Sequence, residues 1–304
     1  MASELRKSDG SIFVGVEGCA RDSFRVARER DVLRILDCPQ AHPEFLRRLL
    51  ARAADDLQLP SPGPVDPADF AARKAEEYQA ADCLLVISEI HRRSFLEAGF
   101  ASERLVQIPL WVDPELWFPP PTAKPANKEA QLVALFVGST GLRKGTPYLL
   151  RAVERCKGRV RLRLVGTRDA QTNALIRKAS AQIECLHSMT KASLREQYWG
   201  ADVLVLPSLL DTFGFVAMEA MACGLPVIVT ENCGVPVPET SWRVPIMDSE
   251  RLAEHLLMYA ADREACRNDG ERAVQFAREF SPARYRRQIQ HLLSQLIEKK
   301  EHLQ

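Results

Sequence analysis

The sequence is short of several things, and each shortage narrows what the chain can be. No apolar run approaches the roughly 20 residues that a membrane-spanning helix needs. Neither sign of charge dominates, because 41 basic residues stand against 40 acidic ones and the net charge is +1. Bulk electrostatics therefore makes no case for nucleic acid or for an anionic surface. The eight cysteines, at 19, 38, 83, 156, 185, 223, 233 and 266, include no C-x-x-C pair. That pattern implies reduced thiols in a cytoplasmic protein, not a disulfide framework or a zinc site. Repeats and low-complexity tracts are absent from the sequence. Met1–Gly10 is polar and charged, so no secretory leader is expected.

What is present is a globular composition, 46% hydrophobic over 304 residues, which is enough chain for two domains of ordinary size. Short apolar, β-branched runs recur at 11–16, 32–36, 83–88, 105–110, 132–138, 160–166, 201–208 and 226–230. They are continuous instead of alternating, as strands buried on both faces should be. Helical segments separate most of them, which predicts parallel strands joined by right-handed crossovers in an α/β fold. Pro114–Ala130 has a proline cluster and no period, so it reads as a linker. The divisions expected are a first domain over 1–113, the linker over 114–130, a second domain over 131–280 and a closing helix over 281–304.

The densest chemistry lies in Leu206–Thr230, LPSLLDTFGFVAMEAMACGLPVIVT. A strand enters a short loop, a helix starts near Phe213 and Gly214, and it ends at Gly224-Leu225-Pro226. Asp211 precedes that helix and Glu219 lies eight positions later within it. A helix N-terminus of this kind offers unpaired amides and the positive end of a dipole to an anion. Glu219, two turns on, is a strong acceptor for sugar hydroxyls. A second anion-site candidate is Gly138-Ser139-Thr140-Gly141-Leu142-Arg143-Lys144-Gly145, which joins a strand to helix PYLLRAV. Guanidinium and ammonium groups suit phosphate charge there, although on its own R-K-G at a helix start is commonly a solvated basic turn.

The 206–230 segment resembles the acid-x7-acid signature of retaining GT-B glycosyltransferases of group 1, usually P-S-x-x-E-G-F-G-x-x-x-x-E-A-M-A-x-G-x-P-V-I. Ser208, Phe213, Gly214, Glu219, Ala220, Met221, Ala222, Gly224 and Pro226 match, with Asp211 in place of the first Glu and Thr212 in place of a glycine. The 138–145 segment is similar to the family's V-G-R-x-x-x-x-K-G, with Lys144 matching and Ser139 standing where an Arg is usual. Glu77-Tyr78 leading to Ser88, and Ile108-Pro109 leading to Asp113, fit the family less specifically. The resemblance implies two Rossmann-like parallel-sheet domains facing across a cleft. It also implies transfer of a sugar from a nucleotide diphosphate sugar to a hydroxyl of a sugar, a lipid or another acceptor, with retention of configuration and without a metal or other cofactor. Under it Arg143, Lys144 and the amides near Phe213, Gly214 and Phe215 hold the diphosphate beside Gly138 and Ser139. Glu219 takes the ribose, Asp211 contacts the donor sugar, and His42, in a loop after the second strand, lies near the reacting sugar.

The first half departs from the family. Only about four strands precede the linker, and the opening strand and glycine-rich loop have no counterpart. A shortened first domain leaves SIFVGV close to a sheet edge, and self-association or a partner chain is expected. Two other classes stay open, a nucleotide-sugar-binding subunit without turnover and a nucleotide-sugar epimerase of similar shape. Phe45, Leu46, Leu49 and Leu50 alternate with Arg47, Arg48 and Arg52 on one helix, a pattern that fits weak contact with a membrane surface and, more commonly, a core-facing helix.

Overall fold

The computed structural model describes residues 10–122, 131–239 and 242–302. Residues 1–9 and 123–130, which carry most of the polar start and part of the proline-rich linker, lie outside the described residues. The chain divides into two compact units, one of Met1–Ala51, Pro60–Leu110 and Ala283–Gln304, the other of Arg52–Leu59 and Trp111–Pro282. Among the described residues no helix is long and apolar enough to cross a membrane.

The first unit is built on four parallel strands in the order β1-β2-β3-β4, namely Ile12–Val16, Leu33–Asp37, Cys83–Val86 and Leu105–Gln107. Helices α1 (Arg21–Glu29), α2 (Pro43–Asp56), α3 (Ala68–Ala80) and α4 (Glu89–Glu97) make the crossovers. One sheet face is closed by Phe24, Leu36, Tyr78, Leu84 and Phe95. On the other face Ile35, Cys83, Leu85 and Ile108 meet Tyr285, Ile289, Leu292 and Leu293 of the C-terminal helix. That helix, the last in the chain (Pro282–Glu301), belongs to the first unit by its apolar stripe. It reaches only part of the sheet. Val14 and Val16 of β1 remain 51% exposed, so this strand is not buried on both faces as its composition predicts. Its place at the edge is the reason. On α2, Phe45 is buried while Arg47 and Arg48 are exposed, each paired with a carboxylate, Glu44 and Glu97 respectively. The turn after β1 is closed from within. Buried Glu77 accepts from the amides of Gly18, Ala20 and Arg21 at 2.5, 2.8 and 2.9 Å, capping α1 with a carboxylate of the chain itself.

The second unit has six parallel strands. They are β5 (Leu132–Val137), β6 (Val160–Val165), β7 (Ile183–Leu186), β8 (Val203–Leu206), β9 (Val227–Thr230) and β10 (Arg243–Val244). Their order is β10-β9-β8-β5-β6-β7. Every residue of β5, β8 and β9 is buried, as their continuous apolar runs require. Helices α5 (Thr146–Arg155), α6 (Ala170–Lys178), α7 (Lys191–Gly200), α8 (Phe215–Ala222), α9 (Ser249–Ala261) and α10 (Arg263–Ala277) complete it. The chain winds outward from β5 through β6 and β7, then crosses to β8 and winds the other way. The switch point therefore lies between β5 and β8, and a crevice outside the carboxyl ends of those two strands is where such sheets bind ligands.

Candidate functional site

The two loops singled out in the sequence leave the two strands that flank the switch point. Gly138–Gly145 follows β5 and leads into α5, and Pro207–Gly214 follows β8 and leads into α8. Gly145 holds them together. Its φ is +67°, and a Cβ there would lie 1.8 Å from the carbonyl oxygen of Pro207, so only glycine permits this approach. The Leu209 amide then donates to the Arg143 carbonyl at 2.9 Å. The result is an ion pair between the Lys144 ammonium and the Asp211 carboxylate, 67 residues apart in sequence and 20% and 14% exposed.

A third segment, Thr230–Val235 after β9, fixes Asp211 from the far side. The Asp211 amide donates to the Asn232 carbonyl at 3.1 Å, and the Gly234 amide donates to the Asp211 carbonyl at 2.8 Å. Asn232 Nδ2 donates to the Leu209 carbonyl at 3.0 Å, and the Thr230 hydroxyl donates to the Ser208 carbonyl. Asp211 thus has little freedom in its backbone. The buried Cys233 thiol beside it is pushed up to about 12, by burial first and by the Asp211 charge second.

Helix α8 begins at Gly214, in the left-handed region at φ +81° and without a side-chain cap. Among the described residues the amides of Phe213, Gly214, Phe215 and Val216 have no hydrogen-bond partner. They are the orphan donors of a helix start, next to Lys144 and Asp211 in the chain's own geometry. The rings differ from the backbone here. Phe213 is 1% exposed and belongs to the core, whereas Phe215 is 51% exposed and packs edge-on against it at 5.1 Å between centroids. Two turns into α8, Glu219 Oε2 accepts from the hydroxyl of Tyr198 on α7 at 2.8 Å. Burial raises the Glu219 carboxyl above its ordinary range, with the Tyr198 hydrogen bond acting against that.

The other residues proposed from sequence fall as follows. Gly138 continues β5 by donating to the Val165 carbonyl at 2.9 Å. Ser139 is exposed, and its hydroxyl accepts from that of Thr167 at 2.8 Å. The Arg143 side chain is exposed beside the pair that Lys144 makes. His42 lies in the first unit at the start of α2, where its carbonyl accepts from the amides of Phe45 and Leu46. Its ring packs against Tyr78, Phe95 and Phe100 at 5.8, 5.6 and 5.9 Å, and its amide donates to Ser94 Oγ. Burial first, and then the Lys74 charge, lower its pKa below the usual histidine value. Among the described residues no three His, Cys, Asp or Glu side chains converge as metal ligands would.

Sequence reasoning missed Tyr198 and Asn232. Tyr198 lies in helix α7 among residues of mixed polarity, and nothing local marks it as a partner of Glu219. Asn232, two residues past the PVIVT strand, carried a turn signal only.

The two loops thus join a cation, a carboxylate and an uncapped helix start at the sheet switch point, and with the first unit the chain has the GT-B type of fold. Residues 131–262 match the family described as Glycosyl transferases group 1. A D-inositol 3-phosphate glycosyltransferase from Mycobacteroides abscessus is 33% identical over 128 residues, 39% of this chain and 28% of that protein. The sucrose-phosphate synthase of Thermosynechococcus elongatus superposes with a TM-score of 0.75 at 21% identity, covering 98% of this chain and 76% of that one. HepE of Anabaena, solved with UDP and glucose, gives a TM-score of 0.71 at 17% identity over 97% of this chain and 80% of its own. The matched stretches span 24% to 44% of the length of the curated relatives. The family match is confined to residues 131–262, less than half of the chain.

Proposed function

We propose that the chain transfers a sugar from a nucleotide diphosphate sugar to an acceptor hydroxyl, with retention of configuration as the family resemblance implies. The observation that carries this reading is the Lys144–Asp211 pair at the start of α8. It joins one ammonium and one carboxylate beside a row of orphan amides, which supports a diphosphate held by the amides and the ammonium and sugar hydroxyls met by the carboxylate. Lys144 and the amides of Phe213–Val216 bind the diphosphate and take up its charge as the glycosidic bond breaks. Asp211 exchanges part of its contact with Lys144 for a donor-sugar hydroxyl. Glu219, kept in place by Tyr198, accepts from the ribose. Arg143, exposed at the same turn, supplies the cation that Ser139 does not. His42 acts on the acceptor side as a neutral imidazole, which suits hydrogen bonding to a sugar hydroxyl. No metal or other cofactor enters this scheme.

Binding without turnover is the second reading, and Ser139 favours it, since a hydroxyl engaged by Thr167 stands where the family has a cation. HepE was solved with UDP, and this supports UDP as the first probe. Calorimetry with UDP, GDP and ADP, followed by a transfer assay with the sugar of the tightest binder, tests both. Binding with transfer supports the enzyme, binding with neither transfer nor donor hydrolysis supports the second reading, and no binding of any of the three overturns both.

A further inference from the structure

Arg243 belongs to the short edge strand β10, whose register sets it beside Val229. Among the described residues its guanidinium donates to carbonyl groups only. Nη1 donates to Cys233 O at 2.7 Å and, more distantly, to Thr230 O at 3.4 Å, and Nη2 donates to Val235 O at 2.6 Å. Among the described residues no carboxylate pairs with it. Burial lowers its pKa, and the carbonyl dipoles it faces favour the charged form against that. A planar fork is the side chain that can grip two carbonyls two residues apart, and doing so bends Cys233–Val235 around it.

That bend is what presents Gly234. Its amide donates to the carbonyl of Asp211, while the neighbouring Asn232 carbonyl receives the Asp211 amide. One guanidinium therefore sits behind the segment that fixes both sides of the Asp211 backbone, and Asp211 carries the contact to Lys144. We propose that Arg243 is a positioning residue for the site on α8, setting the place of Asp211, and through it Lys144, by way of residues 230–235. The effect on ligands rests on the donor-site reading above; the effect on the loop does not.

The test uses the full chain with Arg243→Gln, and with Arg243→Lys, which keeps the charge but loses the fork. Hydrogen exchange is read in Leu209–Phe213 and Asn232–Val235, with β5 as the reference. Positioning requires exchange in Arg243→Gln to rise about tenfold or more in those two segments while β5 stays unchanged, with the Lys variant in between. Calorimetry then measures UDP, GDP and ADP. The tightest binder should lose about tenfold in affinity, the scale of one charge-assisted contact. In an Asp211→Asn background the same substitution should change affinity by less than about twofold, because the coupled contact is already gone. Exchange that is unchanged, or that rises equally throughout, overturns the proposal, and so does an equal affinity loss in the Asp211→Asn background. If the wild type binds none of the nucleotides, the donor-site reading fails and exchange alone decides the role of Arg243. If the Gln variant does not fold, the Lys variant carries both measurements.

Discussion

Lys144 and Asp211 meet as an ion pair although the β5 loop carries one and the β8 loop the other. Each is less than a quarter exposed, so removing the ammonium leaves a partly buried carboxylate without its cation. Lys144→Ala should weaken nucleoside diphosphate binding by about 1.5–3 kcal/mol, the worth of a charge-assisted hydrogen bond. It should also lower the melting temperature. Adding Asp211→Asn should restore the melting temperature and leave the affinity low, since the strain comes from the stranded carboxylate and the affinity from the ammonium. Calorimetry and thermal unfolding on the single and double variants check this. Full affinity in Lys144→Ala removes Lys144 from the site.

Glu219 accepts from the Tyr198 hydroxyl. A carboxylate that accepts from ribose gives preference to a ribonucleotide over its 2′,3′-dideoxy form, because the missing hydroxyls leave a buried acceptor unmet. Glu219→Gln should reduce that preference. Tyr198→Phe should weaken ribonucleotide binding less, since it loosens the carboxylate without removing it. Equal binding of the two nucleotides by the wild type would show that Glu219 does not read the ribose.

Much of this arrangement was legible in the sequence, and the reason is local. Strands β5, β8 and β9 are unbroken apolar runs, and the glycines and the Asp211/Glu219 spacing lie in the short loops and the helix between them. The strand β7 escaped notice because its four residues, Ile183–Leu186, are all half-buried at a sheet edge and include a glutamate. The two-residue β10 has no period to find. Tyr198 and Arg243 act through contacts set by the fold: Tyr198 OH reaches a carboxylate on another helix, and Arg243 reads the shape of a loop. No spacing rule encodes either. His42 shows the converse, a residue visible in sequence whose aromatic surroundings come from three separate points in the chain.

Gly145→Ala tests whether the contact between the two loops builds the site. The new Cβ would strike the Pro207 carbonyl, and the left-handed backbone is unfavourable for alanine. The expected cost is at least about 2 kcal/mol. Nucleotide affinity should fall as in Lys144→Ala, because the clash drives Lys144 from Asp211. A variant as stable and as tight-binding as the wild type would show that the close approach is not required.

His91 gives the first unit a pH dependence of definite sign. It is fully buried, and burial lowers its pKa from the ordinary 6.5 to about 4. Its Nδ1 accepts from the Ile87 amide at 3.2 Å, which leaves the ring proton on Nε2. Between about pH 4 and 6.5 the unfolded chain binds a proton that the folded one refuses, so stability falls as pH falls through this window. The whole effect is on the order of 3 kcal/mol. The raised carboxyls of Glu17, Asp37 and Glu219 work in the opposite direction, so the measurement is a difference. The gap in unfolding free energy between the wild type and His91→Asn should shift in the wild type's disfavour on going from pH 7 to pH 4.5. A gap independent of pH would mean that His91 titrates normally.

Strand β1 carries the last prediction. It is an edge strand whose outer row of amides and carbonyls has no further strand beside it among the described residues, and its Val14 and Val16 are each 51% exposed. Nothing on it resists pairing. The run IFVGV has no proline and no charge, which are the usual guards of such an edge. Val14, Ile35, Val16 and Asp37 share a sheet face by register, so a lysine at Val16 would place its ammonium near the Asp37 carboxylate and leave the core alone. The purified chain should self-associate in a concentration-dependent way, and Val16→Lys should reduce the associated fraction. Nucleotide affinity should be unaffected, because the substitution lies in the first unit and the proposed diphosphate contacts lie in the second. Light scattering across a dilution series, paired with calorimetry, measures both. A monodisperse wild-type monomer at every concentration would show that this edge is tolerated as it stands, and association unchanged by Val16→Lys would locate the contact elsewhere.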